Sequence, residues 1–127
     1  LDIADGKGKV IMYGPDYSVQ ALGGIFKELL QKFMPFSFST NIEHIVNVKD
    51  GYMYVTLINS DGVTKTSHGK PIVDNSKTKT VTTSYTGSLA IASVKEIYGG
   101  RNVAMNAGKA SVTLKPGEIA ILEYRFK

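Results

Sequence analysis

The chain has no cysteine and no tryptophan, and its only arginines are Arg101 and Arg125. Without cysteine there are no disulfides, no thiolate nucleophile and no cysteine-ligated metal. The same absence suits both a cytoplasmic and an exported bacterial protein, so it assigns no compartment. The arginine shortage weighs against nucleic acid, because the guanidinium is the group that reads phosphates and bases in a bidentate fashion. The net charge is +4 and the pI about 9.2. That excess comes from lysines scattered from Lys7 to Lys127, the pattern of a solvated surface with no basic stripe. No apolar run approaches the roughly 20 residues of a membrane span. The N-terminus, LDIADGKGK, is polar and glycine-rich and does not read as a signal peptide. Because residue 1 is leucine, the chain is expected to be a processed or excised part of something longer. Neither nucleic acid nor membrane is expected as a partner.

What is present is an ordinary globular composition, 43% hydrophobic and 20% charged, in a length that defaults to one domain. The hydrophobic pattern changes at Pro35. Before it, Lys9-Val10-Ile11-Met12-Tyr13 reads as a short buried strand between Gly8 and Gly14. Gly14-Pro15 breaks it, and Asp16 is placed to cap a helix. Over residues 17–34 apolar side chains recur at helical spacing, including Leu22, Phe26, Leu29 and Phe33. Gly23-Gly24 within this helix costs about 1 kcal/mol per glycine relative to alanine, which a close approach to a neighbouring backbone would explain.

After Pro35 the pattern is β. Phe36-Ser37-Phe38-Ser39 is an extended lead-in. Strands are predicted over residues 42–48, 52–58, 63–66, 78–86, 89–98, 103–105, 110–114 and 119–126, at the short spacing of a sandwich. Within residues 52–58, Met53, Val55 and Leu57 face one way and Tyr52, Tyr54, Thr56 and Ile58 the other. Asp50-Gly51 and Asp61-Gly62 are hairpin signals, and Pro116-Gly117 centres another turn. Residues 67–77 read as a loop, kept out of any central strand by Pro71. The fold class is therefore mainly β: an antiparallel β-sandwich at 37–127 with one N-terminal strand-helix element at 1–36, possessing the features of the tail of a preceding α/β domain.

No catalytic constellation stands out. His44 falls in a predicted strand and His68 in the long loop, and no zinc-type spacing surrounds either. No serine sits in a nucleophile-elbow context. Gly6-Lys7-Gly8 precedes its strand and so is not a dinucleotide fingerprint. Asp50, Asp61 and Asp74 occupy turns, where aspartate is favoured for bonding its own backbone. A calcium site from Asp61 with Asp74-Asn75 would join loops distant in sequence. No metal or cofactor is expected. Tyr52 and Tyr54 share a strand face and would make an aromatic platform for a sugar. The alternative is a half-buried stripe packing beneath a neighbour such as the helix.

The all-β part resembles a known family. The series is IVNVKDGYMYVTLIN at residues 45–59, Lys70-Pro71, TVTTS at 80–84, Ser93-Val94-Lys95-Glu96-Ile97, and VTLKPGEIAILEY at 112–124. It is similar to the C-terminal β-sandwich that follows the catalytic barrel of many bacterial glycoside hydrolases. GKVIMYGPDYSVQALGGIFKELLQKFMPF at 8–36 likewise resembles the last strand and helix of an α/β domain preceding such a sandwich. The resemblance implies a non-catalytic accessory domain that stabilises or positions the catalytic module of the same parent chain. Leu22, Phe26, Leu29 and Phe33 would supply the domain contact. It also implies a periplasmic or extracellular location. The family's catalytic carboxylates lie on the barrel, and no position here matches them. The other expectations are a carbohydrate-binding module using Tyr52, Tyr54 or the loop at 67–77, and a protein-interaction domain unrelated to sugars.

Overall fold

A computed structural model describes residues 2–5, 8–11, 23–26 and 34–127. The chain divides into two compact units, Leu1–Met34 and Pro35–Lys127.

In the first unit, strand β1 (Asp2–Asp5) pairs antiparallel with β2 (Gly8–Ile11). The strand expected at residues 9–13 is thus half of a hairpin whose other half is the polar N-terminus. The helical residues described are 23–26. Of the expected contact residues, Phe26 is 61% exposed, while Leu22, Leu29 and Phe33 lie outside the described residues. A Cβ on Gly23 or Gly24 would meet no atom within 4 Å among the described residues.

The second unit is a sandwich of two four-stranded antiparallel sheets. The remaining strands are β3 (Phe36–Phe38), β4 (Glu43–Lys49), β5 (Tyr52–Ile58), β6 (Val63–Thr64), β7 (Ile72–Val73), β8 (Lys79–Tyr85), β9 (Ile91–Glu96), β10 (Ala104–Asn106), β11 (Lys109–Leu114) and β12 (Ile119–Phe126). Sheet 1 runs β10-β11-β8-β3 and sheet 2 runs β4-β5-β12-β9. β6 and β7 form a separate two-stranded ribbon. β6 lies in the strand expected at 63–66, while β7 and the 3-10 turn Asn75–Lys77 fall in the stretch expected to be a loop. Two-residue strands carry no periodicity of their own and exist only through their partner.

Alternation places the core. Val55 and Leu57 of β5, with Ala120, Leu122 and Tyr124 of β12, face Val81 of β8 and Ala110, Val112 and Leu114 of β11. Phe36 closes one end, edge-on to Tyr124 at 4.8 Å. Two polar links cross this apolar layer. The Tyr124 hydroxyl meets Thr83 Oγ1, which itself donates to the Ala110 carbonyl at 3.1 Å. Thr83 having spent its proton there, Tyr124 is the donor. Burial pushes the Tyr124 phenol above its usual value, which keeps that donor protonated. Asn59, fully buried just past β5, donates from Nδ2 to the carbonyls of Lys77 and Leu114 at 3.0 and 3.1 Å.

Removing one partner of a buried pair costs more than removing both. Thr83→Val, which strands the Tyr124 hydroxyl, is expected to lower stability by about 1–3 kcal/mol. In a urea-unfolding cycle, the double variant Thr83→Val/Tyr124→Phe should lose less than the sum of the two singles.

Candidate functional site

The outward residues of sheet 2 form a registered surface. Four rows cross the strands: Lys49, Tyr52, Arg125 and Ser93; Asn47, Tyr54, Glu123 and Lys95; Ile45, Thr56 and Ile121; Glu43, Ile58 and Ile119. Tyr52 and Tyr54 lie at the centre of the first two rows. Two residues apart on one strand, they share a face by the period of two. Their rings are 6.3 Å apart, inclined at 35°. Both are half-buried, and Ile45 beside them is 53% exposed. Desolvation, followed by the Glu123 carboxylate directly across the ladder, pushes the Tyr54 phenol above its ordinary 10.0. It therefore remains a neutral hydrogen-bonding hydroxyl at physiological pH. The arrangement offers two tilted rings with an amide, a carboxylate and cationic groups around them. The surface is apolar at its centre and polar at its edges.

The loop at 67–77, the other place expected to hold a sugar, lies apart from this surface. Asp74 N donates to the Gly62 carbonyl and Lys77 receives Asn59, so residues 67–77 are anchored beyond the far end of β5. From Tyr54 to Asn59 is about 17 Å of strand.

The distant aspartate loops do meet, through that Asp74–Gly62 bond at 2.8 Å. Their carboxylates are engaged elsewhere. Asp74 accepts from Ser76 N at 3.0 Å and caps the 3-10 turn. Asp61 takes the Lys79 ammonium at 2.5 Å, and that bond holds its carboxyl below the usual range. No group of three or more acids or histidines suited to a metal occurs among the described residues. His44 stacks on Phe38 with ring centroids 4.2 Å apart, and its Nδ1 lies 2.9 Å from the Ile42 carbonyl. His68 sits beside Ser67 in the exposed loop.

A small depression of about 80 Å³ opens where β4, β5 and β8 meet. On its rim Ser60 Oγ donates to Glu43 Oε1 at 2.6 Å, and Lys79 Nζ donates to the Asn41 carbonyl at 3.0 Å. Each carboxylate already has its own partner, so the cluster ties β8 of sheet 1 to the end of β5 in sheet 2.

Sequence reasoning gave no role to Glu96, the most strongly perturbed acid among the described residues. It ends β9 almost fully buried. Its two oxygens accept the backbone N–H groups of Tyr98, Gly99 and Arg101 at 2.9 Å and of Ile121 at 3.2 Å. Burial alone would raise its carboxyl; the four backbone donors outweigh that and hold it at about 2, against an ordinary 4.5. Arg101 completes the loop by donating to the Ile119 carbonyl at 2.9 Å and pairing with Glu118 at 3.3 Å. A Cβ at position 99 would fall 2.6 Å from the Arg101 guanidinium, and Gly100 has φ +64°. The signal in the sequence was a strand-ending glutamate followed by Gly-Gly-Arg.

Comparison with protein-family models, with curated proteins and with solved structures finds no match to this chain.

Two titrations test the site. Because the folded Glu96 carboxyl titrates lower than the unfolded one, its contribution is complete above pH 4.5 and is lost as pH falls from there through about 2. Acid unfolding of the wild type followed by circular dichroism should show this slope, and Glu96→Gln should flatten it while lowering stability at neutral pH by about 2–4 kcal/mol. Separately, Glu123→Gln should move the Tyr54 ring titration, read by NMR, down toward that of a free tyrosine.

Proposed function

We propose that this protein is a non-catalytic accessory β-sandwich of a larger carbohydrate-active hydrolase, stabilising or positioning the catalytic module of the same parent chain. The observation that carries the reading is the outer face of sheet 2. Tyr52, Tyr54, Ile45 and Ile121 form its centre, with Lys49, Arg125, Glu123 and Lys95 around them. Aromatic and aliphatic groups inside a charged rim are the make-up of a surface that takes a partner yet stays wettable alone. A packed face of this kind is what a positioning role needs. In the other unit, the stripe containing Leu22, Phe26, Leu29 and Phe33 would supply a contact of its own with the catalytic module.

The second reading, a carbohydrate-binding module, is favoured by the tyrosine geometry itself. Two rings tilted by 35° with centroids 6.3 Å apart suit the apolar faces of adjoining sugar units, while Asn47 and Glu123 are placed to bond hydroxyls.

The two readings part in one set of measurements. Purified protein is run through native gels containing soluble polysaccharides, beside Tyr52→Ala and Tyr54→Ala. Retardation that either substitution abolishes would establish the binding module. The accessory reading expects no retardation in any gel. It also expects Tyr54→Asp in the parent chain to lower the thermal midpoint of the catalytic module. Sugar hydrolysis by this chain alone would sink both.

A further inference from the structure

We infer that the β4 edge of sheet 2 pairs with the β4 edge of a second copy of this chain, making one continuous sheet across a two-fold axis. The inference is independent of the sugar-related reading, because it rests on the strand edge and not on the tyrosine face.

A sandwich of two open sheets has four edges, and exposed edges are templates for pairing. Three are blunted here. β3 and β10 are three residues long, and the β9–β12 ladder slips register between Arg125 and Phe126. β4 is different: seven residues, regular against β5 throughout, with no proline and no bulge. Its inward side chains outrun their cover, leaving Val48 68% exposed.

The direction of its free backbone groups follows from the turn. Asp50 and Gly51 both have positive φ, 52° and 80°, in a two-residue hairpin loop of the primed type. Lys49 and Tyr52 are then the closing hydrogen-bonded pair. Alternation sends the N–H and C=O groups of Lys49, Asn47, Ile45 and Glu43 toward β5. Those of His44, Val46 and Val48 point to the open edge, and none has a backbone partner outside the sheet among the described residues.

An antiparallel second β4 centred on Val46 matches those groups. Val46 meets its own symmetry mate in a hydrogen-bonded pair, and His44 meets Val48 on both sides of it. The intervening close pairs set Glu43 against Lys49 at each end and Ile45 against Asn47 between them. The strand is thus self-complementary in charge about the one axis that also satisfies its backbone, the condition for an isologous contact. Val48 gains an imidazole neighbour, and Ile45 gains cover.

Sedimentation velocity on the whole chain over a wide concentration range should show a monomer–dimer equilibrium. Val46→Pro removes only an edge-facing N–H, a place where proline is tolerated. It should weaken association about tenfold or more. Lys49→Glu sets two carboxylates together at both ends and should weaken it by a similar factor; Glu43→Lys/Lys49→Glu restores opposite charges and should recover it. The charge series decides the matter even if Val46→Pro fails to fold. A wild type that is monomeric at every concentration overturns the inference. So does a dimer indifferent to Lys49→Glu, or one that the double exchange leaves unrestored.

Discussion

The Tyr124 hydroxyl, reaching from sheet 2 to Thr83 in sheet 1, fixes how the two layers of this sandwich face each other. Apolar burial drives the layers together but is non-directional and tolerates sliding. The Tyr124–Thr83–Ala110 chain gives the contact a position. Asn59, bonded to the Leu114 carbonyl, supplies a second fixed point about 13 Å further along β11. Two such points resist rotation as well as translation. The outer face of sheet 2 inherits this rigidity, since Val55 and Leu57 anchor from below the strand that carries Tyr52 and Tyr54 above.

Much of this was legible in the sequence because the information is local. The alternation in residues 52–58 assigns both faces of β5, and the structure keeps Val55 and Leu57 fully buried while the tyrosines stay half-open. Asp50-Gly51 and Pro116-Gly117 made turns because their backbone demands are intrinsic, with Gly117 at φ +78°. What was not legible depends on partners far along the chain. β7 is a strand only because it pairs with β6, and the polar N-terminus is a strand only beside β2. Glu96 sits in a run that alternates no differently from any other strand. Its role appears once the Ile121 N–H and the loop to Arg101 converge on it. The aspartate loops were separated in sequence yet adjacent in space, and only the fold shows their carboxylates committed to Ser76 and Lys79.

Charge in this protein divides by depth. The buried carboxylate of Glu96 is neutralised by backbone N–H dipoles, with the Arg101 guanidinium at 3.8 Å in a supporting position. That arrangement avoids the cost of desolvating a full ion pair. The exposed Asp61 pairs with the half-buried Lys79 across the end of the sandwich, where water reaches the carboxylate and the bond is worth little by itself. The rigid element at that end is therefore Asn59.

The order of strands has a consequence for how the molecule comes into being. β12 lies between β5 and β9 in sheet 2, yet follows both in the chain. Until it is synthesised, sheet 2 exists as two separate pieces, the β4–β5 hairpin and a lone β9, and the residue that pins the layers has not been made. Sheet 1 can assemble β3, β8, β11 and β10 beforehand, with only the β4–β5 hairpin and β9 to face. Closing sheet 2 therefore requires the long-range pairing of β12 with both β5 and β9. Pairing of that kind is slow relative to local hairpin formation, and strand edges stay exposed until it is complete.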